Sequence, residues 1–175
     1  MSVIRKCKES DIAHVAKLYS DVILWMNDNH VNYPRWNSQV YPNEQSVRTF
    51  SEKGNLYLYE DEGRILAAIA MDEIPQGNYR KVQWGRNLPE GSYVTMHALA
   101  VDPDAHEHGV AGRLICFCIE TAIAQGYKAV RIHIAPDNAP SKRLYEKFGF
   151  IHVGDMDLEP DIGELTFFSV YELNL

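Results

Sequence analysis

His106-Glu107-His108-Gly109-Val110-Ala111-Gly112-Arg113-Leu114 is the stretch whose reading decides the fold. It follows a strongly apolar run, Val94 to Val101, that reads as a strand. It opens a helix-like run from Val110 to Gln125. Small residues at 109, 111 and 112 leave the backbone open where strand gives way to helix. Bare N–H groups and the positive end of a helix dipole are what a pyrophosphate needs. By itself the stretch is also a turn whose glycines serve geometry alone. A nucleoside-triphosphate P-loop would need Gly-Lys-Ser/Thr after the glycines, and Gly112-Arg113-Leu114 stands there instead. A dinucleotide fold would put the turn near the start of a repeated parallel βαβ pattern, whereas here about a hundred residues precede it.

Working outward, Val3 to Lys6 reads as a first strand. Ser10 is the expected N-cap of a helix whose stripe is Ile12, Val15, Ala16, Tyr19, Val22, Ile23 and Met26. Asp28 to Pro42 is polar, aromatic and irregular, and Glu44 to Glu52 reads as a second helix. Leu56 to Tyr59 and Ile65 to Met71 form two strands around the turn at Asp61-Glu62-Gly63. Glu73 to Gly91 is a long connection, with a strand extension expected around Lys81 to Trp84. Ser92 to Val101 is a strand ended by Asp102-Pro103-Asp104. Gly126 fits the C′ position of the helix beginning at Val110. Ala129 to Ile134 is a strand, and a helix begins at Asn138 or Ala139 and ends at Gly149. Ile151 to Asp155 and Glu164 to Glu172 close the chain as strands. The strand, small-residue turn, helix and strand in the middle form a crossover, which needs parallel neighbours. The fold class is α+β around one mixed sheet.

At 175 residues, with 46% hydrophobic side chains, residues 1–175 read as a single domain with ample core. The net charge of −7 and the lack of a basic run argue against nucleic acid and anionic membrane as partners. Three cysteines are poor material for a disulfide framework. Cys116 and Cys118 lie two apart on an expected helix and point to different faces, so no metal site is expected. No apolar run approaches the roughly 20 residues of a membrane span. The N-terminus lacks a signal-peptide pattern, so a cytoplasmic protein is expected.

Several blocks in order carry a resemblance. They are Leu99-Ala100-Val101-Asp102-Pro103, the turn His106-x-x-Gly109-x-Ala111-Gly112, then Asn138, then Leu144-Tyr145-x-x-x-Gly149-Phe150. Together, from about Tyr93 to Phe150, they resemble the GCN5-related N-acetyltransferase (GNAT) superfamily. The resemblance implies a mostly antiparallel mixed sheet, a central parallel strand pair splayed around the cofactor, and helices on both faces. It implies acetyl-CoA as co-substrate. His106, His108, Gly109, Val110, Ala111, Gly112 and Arg113 would take its pyrophosphate, chiefly through backbone amides. The family usually has Gln or Arg where His106 stands. Leu99, Ala100 and Val101 would pair with the pantetheine arm through their backbone, and Asn138 would hydrogen-bond it. An amide near His97 to Leu99 would polarise the thioester carbonyl.

Attack of an amine on a thioester needs a base, because an alkylammonium has a pKa of about 10.4. It also needs an acid for the departing thiolate. By the resemblance Tyr145 is the acid; otherwise it is a core tyrosine. His97 and His133 are the candidate bases, with a water relay or a purely structural histidine as rivals. Alternation puts His133 on the face opposite Ile132 and Ile134. His14 and His152 read as surface residues. Trp25, His30, Tyr33, Trp36 and Tyr41 either wall an acceptor pocket or simply pack an irregular segment. Asp155, Asp157, Glu159, Asp161 and Glu164 either form a solvated hairpin or steer a cationic amine. The expected function is acetyl transfer to a small-molecule or peptide amine. A non-catalytic acyl-CoA-binding or regulatory module is the alternative, and a different phosphate ligand the third. The resemblance leaves a homodimer open.

Overall fold

The computed structural model describes residues 1–106, 108–159 and 164–175. Its strands are β1 (Ser2–Lys6), β2 (Leu56–Asp61), β3 (Arg64–Asp72), β4 (Tyr93–Val101), β5 (Ala129–Ile134), β6 (Ile151–Asp157) and β7 (Phe167–Asn174). Its helices are α1 (Ile12–Asp28), α2 (Glu44–Glu52), α3 (Val110–Ala124) and α4 (Ala139–Glu146). The strands form one sheet in the order β1-β2-β3-β4-β5-β7-β6. The β4–β5 pair is parallel, and the β1–β2, β2–β3, β5–β7 and β6–β7 pairs are antiparallel. The parallel ladder runs from Tyr93–Ala129 to Thr95–Arg131. No helix among the described residues is long and apolar enough to cross a membrane.

The chain divides into two compact units, and both β4 and α3 pass from one into the other. The first comprises Met1–Asn32, Trp36–Met71 and His97–Phe117. Alternation along β2 decides its packing. Leu56 and Leu58 point to one side with Ala68, Ala70, Ala98 and Ala100, and they meet the α1 stripe Ile12, Val15, Leu18, Tyr19 and Val22. Each stripe residue contributes about 1.5–3 kcal/mol by burial. Packing therefore holds α1 more than intrinsic propensity does. On the other side Tyr57 meets Phe117 of α3 edge-on, with ring centroids 5.3 Å apart. Ser10 is not the N-cap of α1. It lies in a 3-10 turn, Glu9–Asp11, and the Asp11 carboxylate is drawn away from α1 to accept from the Lys8 N–H at 2.8 Å.

The second unit comprises Tyr33–Arg35, Asp72–Met96 and Cys118–Leu175. In α3, Cys118 is buried and Cys116 exposed, on different faces of the helix. Gly126 ends α3 at φ +83°, and the Tyr127 N–H reaches back to Ala122 O at 3.1 Å. The expected strand at Lys81 to Trp84 is absent. Tyr79–Lys81 is a 3-10 turn instead. Its donors turn inward, Lys81 N–H to Asn78 O, Val82 N–H to Tyr79 O and Trp84 N–H to Val82 O, rather than to a neighbouring strand. The segment instead docks on the β6–β7 end of the sheet, where Tyr79, Leu158, Phe168 and Val170 form a buried cluster. Helix α4 stops at Glu146, three residues short of Gly149, and Gly149 closes the turn at φ +88°.

Candidate functional site

The strand-to-helix turn is built from backbone. Asp102 accepts from the Asp104 N–H at 2.9 Å and starts a 3-10 turn at Pro103–Ala105. Glu107 lies outside the described residues. Gly109 has φ +70°, a conformation that penalises any side chain, and a Cβ built there meets nothing within 4 Å. The Arg113 N–H bonds to Gly109 O at 3.1 Å. The amides of Val110, Ala111 and Gly112 precede that first turn of hydrogen bonds and so lack helical acceptors, which makes this end of α3 suited to an anion. The side chains around it are otherwise engaged. His106 Nε2 lies 3.2 Å from Val101 O, and its ring meets Trp25 edge-on at 4.9 Å. Arg113 donates to the Tyr59 hydroxyl at 3.0 Å. Val110 is buried, so only its backbone is available, whereas His108 is exposed.

Strand β4 carries a kink at Ala98, whose φ of +54° is left-handed. Such a conformation costs a residue with a Cβ roughly 1–2 kcal/mol. The buried Tyr19 hydroxyl donates to Ala98 O at 2.6 Å and holds the kink. His97 and Leu99 flank it, both half-buried, and His97 meets Phe50 edge-on at 5.2 Å. Ala100 is buried and Val101 half-buried.

In the second unit Asn138 Oδ1 accepts from the Ser141 N–H at 3.1 Å and caps α4. The cap uses only the oxygen, so the side-chain amide hydrogens remain for other partners. Tyr145, two turns on, is buried and meets Phe150 edge-on at 5.4 Å. Burial raises its pKa above the usual phenol range, so the hydroxyl stays protonated at neutral pH. Among the described residues that hydroxyl has no hydrogen-bond partner. On β5, His133 is half-buried, and its Nδ1 lies 2.8 Å from the Tyr79 hydroxyl. The rings of Tyr79 and Phe168 stand edge-on to His133 at 5.7 and 4.8 Å. Burial raises the Tyr79 pKa well above the phenol range, against opposing pulls from Arg131 and Thr95.

The model of the acetyltransferase (GNAT) family matches residues 20–150. The chain belongs to the GNAT family. The GNAT chain is 28% identical over 106 residues to S-(2-succino)cysteine N-acetyltransferase of Bacillus subtilis, covering 58% of each chain. It is 38% identical over 55 residues to a mycothiol acetyltransferase of Brachybacterium faecium, covering 31% of this chain and 17% of that one. The chain thus spans between about a sixth and three fifths of the length of these curated relatives. Among solved structures, yncA from Salmonella typhimurium, solved with its cofactor acetyl-CoA, superposes with a TM-score of 0.70 at 18% identity. That superposition covers 99% of this chain and 94% of that one.

In this GNAT chain the aromatic acceptor candidates have separate settings. Trp25 stands on His106, Trp36 meets Tyr19 edge-on at 5.9 Å, and both Trp36 and Tyr41 pack on the first unit's core. His30 is exposed at φ +57°, and Tyr33 is half-buried and groups with the second unit. Of the acidic residues near β6 and β7, Asp155, Asp157, Glu159 and Glu164 are exposed; Asp161 lies outside the described residues. His14 and His152 are exposed, and His152 pairs with Asp155 at 3.0 Å. The sequence reading missed Tyr19, Ala98, Tyr79 and Arg131. Helical spacing marked Tyr19 as core but said nothing about its hydroxyl. The left-handed backbone at Ala98 has no signature in residue type. Tyr79 sat in a segment read as linker.

Proposed function

We propose that the chain is an N-acetyltransferase that moves the acetyl group of acetyl-CoA to a primary amine by direct attack in a ternary complex. The names of its relatives and the cofactor of the yncA structure support this reading. The free amides and open space at the start of α3 fit a pyrophosphate. Backbone amides of His108 to Gly112 hold that group, while the Arg113 N–H closes the first turn on Gly109 O and the His106 and Arg113 side chains shape the turn. Backbone groups of Leu99, Ala100 and Val101 and the Asn138 amide hold the pantetheine arm.

Acetyl-CoA supplies the activated thioester, whose carbonyl carbon bonds to the amine nitrogen as its bond to sulfur breaks. Tyr145 supplies the proton that the leaving thiolate needs. A phenol is protonated at neutral pH and so carries that proton until transfer. His133 takes the proton from the amine at Nε2 while Nδ1 is held by Tyr79. His97, flanking the β4 kink, or a water relay is the rival for that step. Trp25, His30, Tyr33 and Trp36 stay candidates for acceptor contact.

The observation that carries the reading is Tyr145, a buried side chain of α4 whose hydroxyl has no hydrogen-bond partner among the described residues. Titration calorimetry with acetyl-CoA, followed by transfer assays on an amine panel, tests it. Tyr145→Phe is expected to keep cofactor affinity and lose about 100-fold or more in kcat. Absence of acetyl-CoA binding at millimolar concentration sinks the proposal. Binding without turnover on any amine transfers the case to a regulatory acyl-CoA-binding module.

A further inference from the structure

A cavity of about 360 Å³ opens in the second unit between the 79–90 segment and strands β4 and β5. Aromatic rings of Tyr79, Trp84 and Tyr93 wall it. Its charged lining is Arg80, Arg86 and Arg131 against one acid, Glu90, in a protein whose net charge is −7. The three arginines are not equivalent. Arg131 is buried, its guanidinium lies over the Trp84 and Tyr93 rings at 4.1 and 3.9 Å, and Glu172 neutralises it at 3.0 Å. Arg80 is exposed and paired with Glu90 at 2.5 Å. Arg86 only donates to a backbone carbonyl, Lys128 O, at 3.2 Å, and has no carboxylate partner among the described residues. A cation without a counter-charge on the rim of an aromatic-walled cavity is a site for an anionic group.

The size and charge narrow the ligand. The volume lies near the lower end for small-molecule sites, and one free guanidinium matches one carboxylate. Tyr79 is common to the cavity wall and to the hydrogen bond on His133 Nδ1. We propose that this cavity takes the carboxylate end of an amino-acid-like acceptor, with Arg86 as its charge partner. The proposal rests on the acetyltransferase reading and names its acceptor class. It makes Arg86 a specificity residue: the enzyme favours an amine that carries a carboxylate over the same amine as an amide. The backbone carbonyl of Arg86, which accepts from Arg131 at 3.2 Å, survives any substitution of the side chain.

The probes are glycine, alanine, phenylalanine, aspartate and cysteine, each paired with its C-terminal amide. Two readouts are taken on the full chain. The first is the NMR resonance of the Trp84 indole N–H, which donates to Tyr79 O at 2.9 Å and so reports the cavity wall without turnover. The second is kcat/KM for acetyl transfer. At least one free acid is expected to shift the Trp84 resonance more strongly than its amide and to be the better acceptor by about tenfold or more. Arg86→Ala should erase that preference mainly through KM, and Arg86→Lys should restore part of it. Equal kcat/KM for every acid and its amide overturns the proposal while leaving the acetyltransferase reading intact. So does an Arg86→Ala variant that keeps the preference, or a Trp84 resonance that no acid moves at tens of millimolar. An acid-selective shift that Arg86→Ala abolishes, with no transfer to any amine, keeps the site and removes the acetyltransferase reading.

Discussion

At the scale of single residues, a hydroxyl fixes a strained backbone. Tyr19 reaches from α1 to the carbonyl of Ala98, the left-handed residue of β4. Removing the hydroxyl leaves that carbonyl buried without its donor, which costs about 1–3 kcal/mol. Tyr19→Phe keeps the ring and its edge contact with Trp36, so the loss isolates the hydrogen bond. Urea unfolding is expected to show that destabilisation; an unchanged midpoint would mean that the kink holds itself. Gly109 is the opposite case. Its φ of +70° strains any other residue, yet the space beside it is open. Gly109→Ala is therefore expected to cost about 1–2 kcal/mol through backbone strain, with no clash. Cofactor affinity should fall with it, since the amides that follow are set by that turn. A variant with wild-type stability and wild-type acetyl-CoA affinity would show that the turn adopts another conformation.

At the scale of elements, the 79–90 segment is fastened by charge. Glu172 on β7 accepts from Arg131 Nε at 3.1 Å, and the guanidinium lies between two aromatic faces. Gly85 permits the approach, since a Cβ there would come within 3.0 Å of the Glu172 carboxylate. Glu172→Gln leaves a buried guanidinium without its counter-charge and is expected to cost about 3–5 kcal/mol. Replacing both partners, Arg131→Met with Glu172→Leu, should cost less than either single change, because no buried charge is left over. Thermal unfolding of the three variants measures this, and a double variant worse than both singles refutes the account. Helices and strands were legible in the sequence wherever a period ran for several residues, as in the stripe of α1 and the alternation of β5. The turn at 109–112 and the pair Asn138 and Tyr145 were legible as motifs. The 79–90 segment was not, because a 3-10 turn has too few residues to show a period. Its anchors, Arg131 and Glu172, lie 41 positions apart in the chain. Arg131 also sits in a run of strand residues, where a buried ion pair leaves no pattern.

At the scale of the whole molecule, charge sets the response to acid. Asp11 accepts from both Arg5 terminal nitrogens, at 2.6 and 3.1 Å, and those bonds hold its carboxyl below the usual range. Asp155 is held down in the same way, first by the Ser169 hydroxyl and then by His152. A carboxyl whose folded pKa lies below its unfolded value of about 3.9 binds fewer protons folded than unfolded. Its stabilisation is complete above that unfolded value and is lost as pH falls toward the folded one. The two groups sit in different units, so acid removes one restraint from each. Protonation also adds positive charge to a chain that starts at −7, so self-repulsion is relieved at first and cannot drive early unfolding. Part of the loss of stability below about pH 4 is therefore assigned to these two carboxylates. Asp11→Asn should lower the melting temperature at pH 7, where the Arg5 pairing is intact in the parent. It should also flatten the fall between about pH 4 and pH 2, because the variant has no charge left to lose there. Melting curves of both proteins across that range, with circular dichroism as the probe, decide it. Parallel curves at every pH would take Asp11 out of the acid response and leave Asp155 as the group to test.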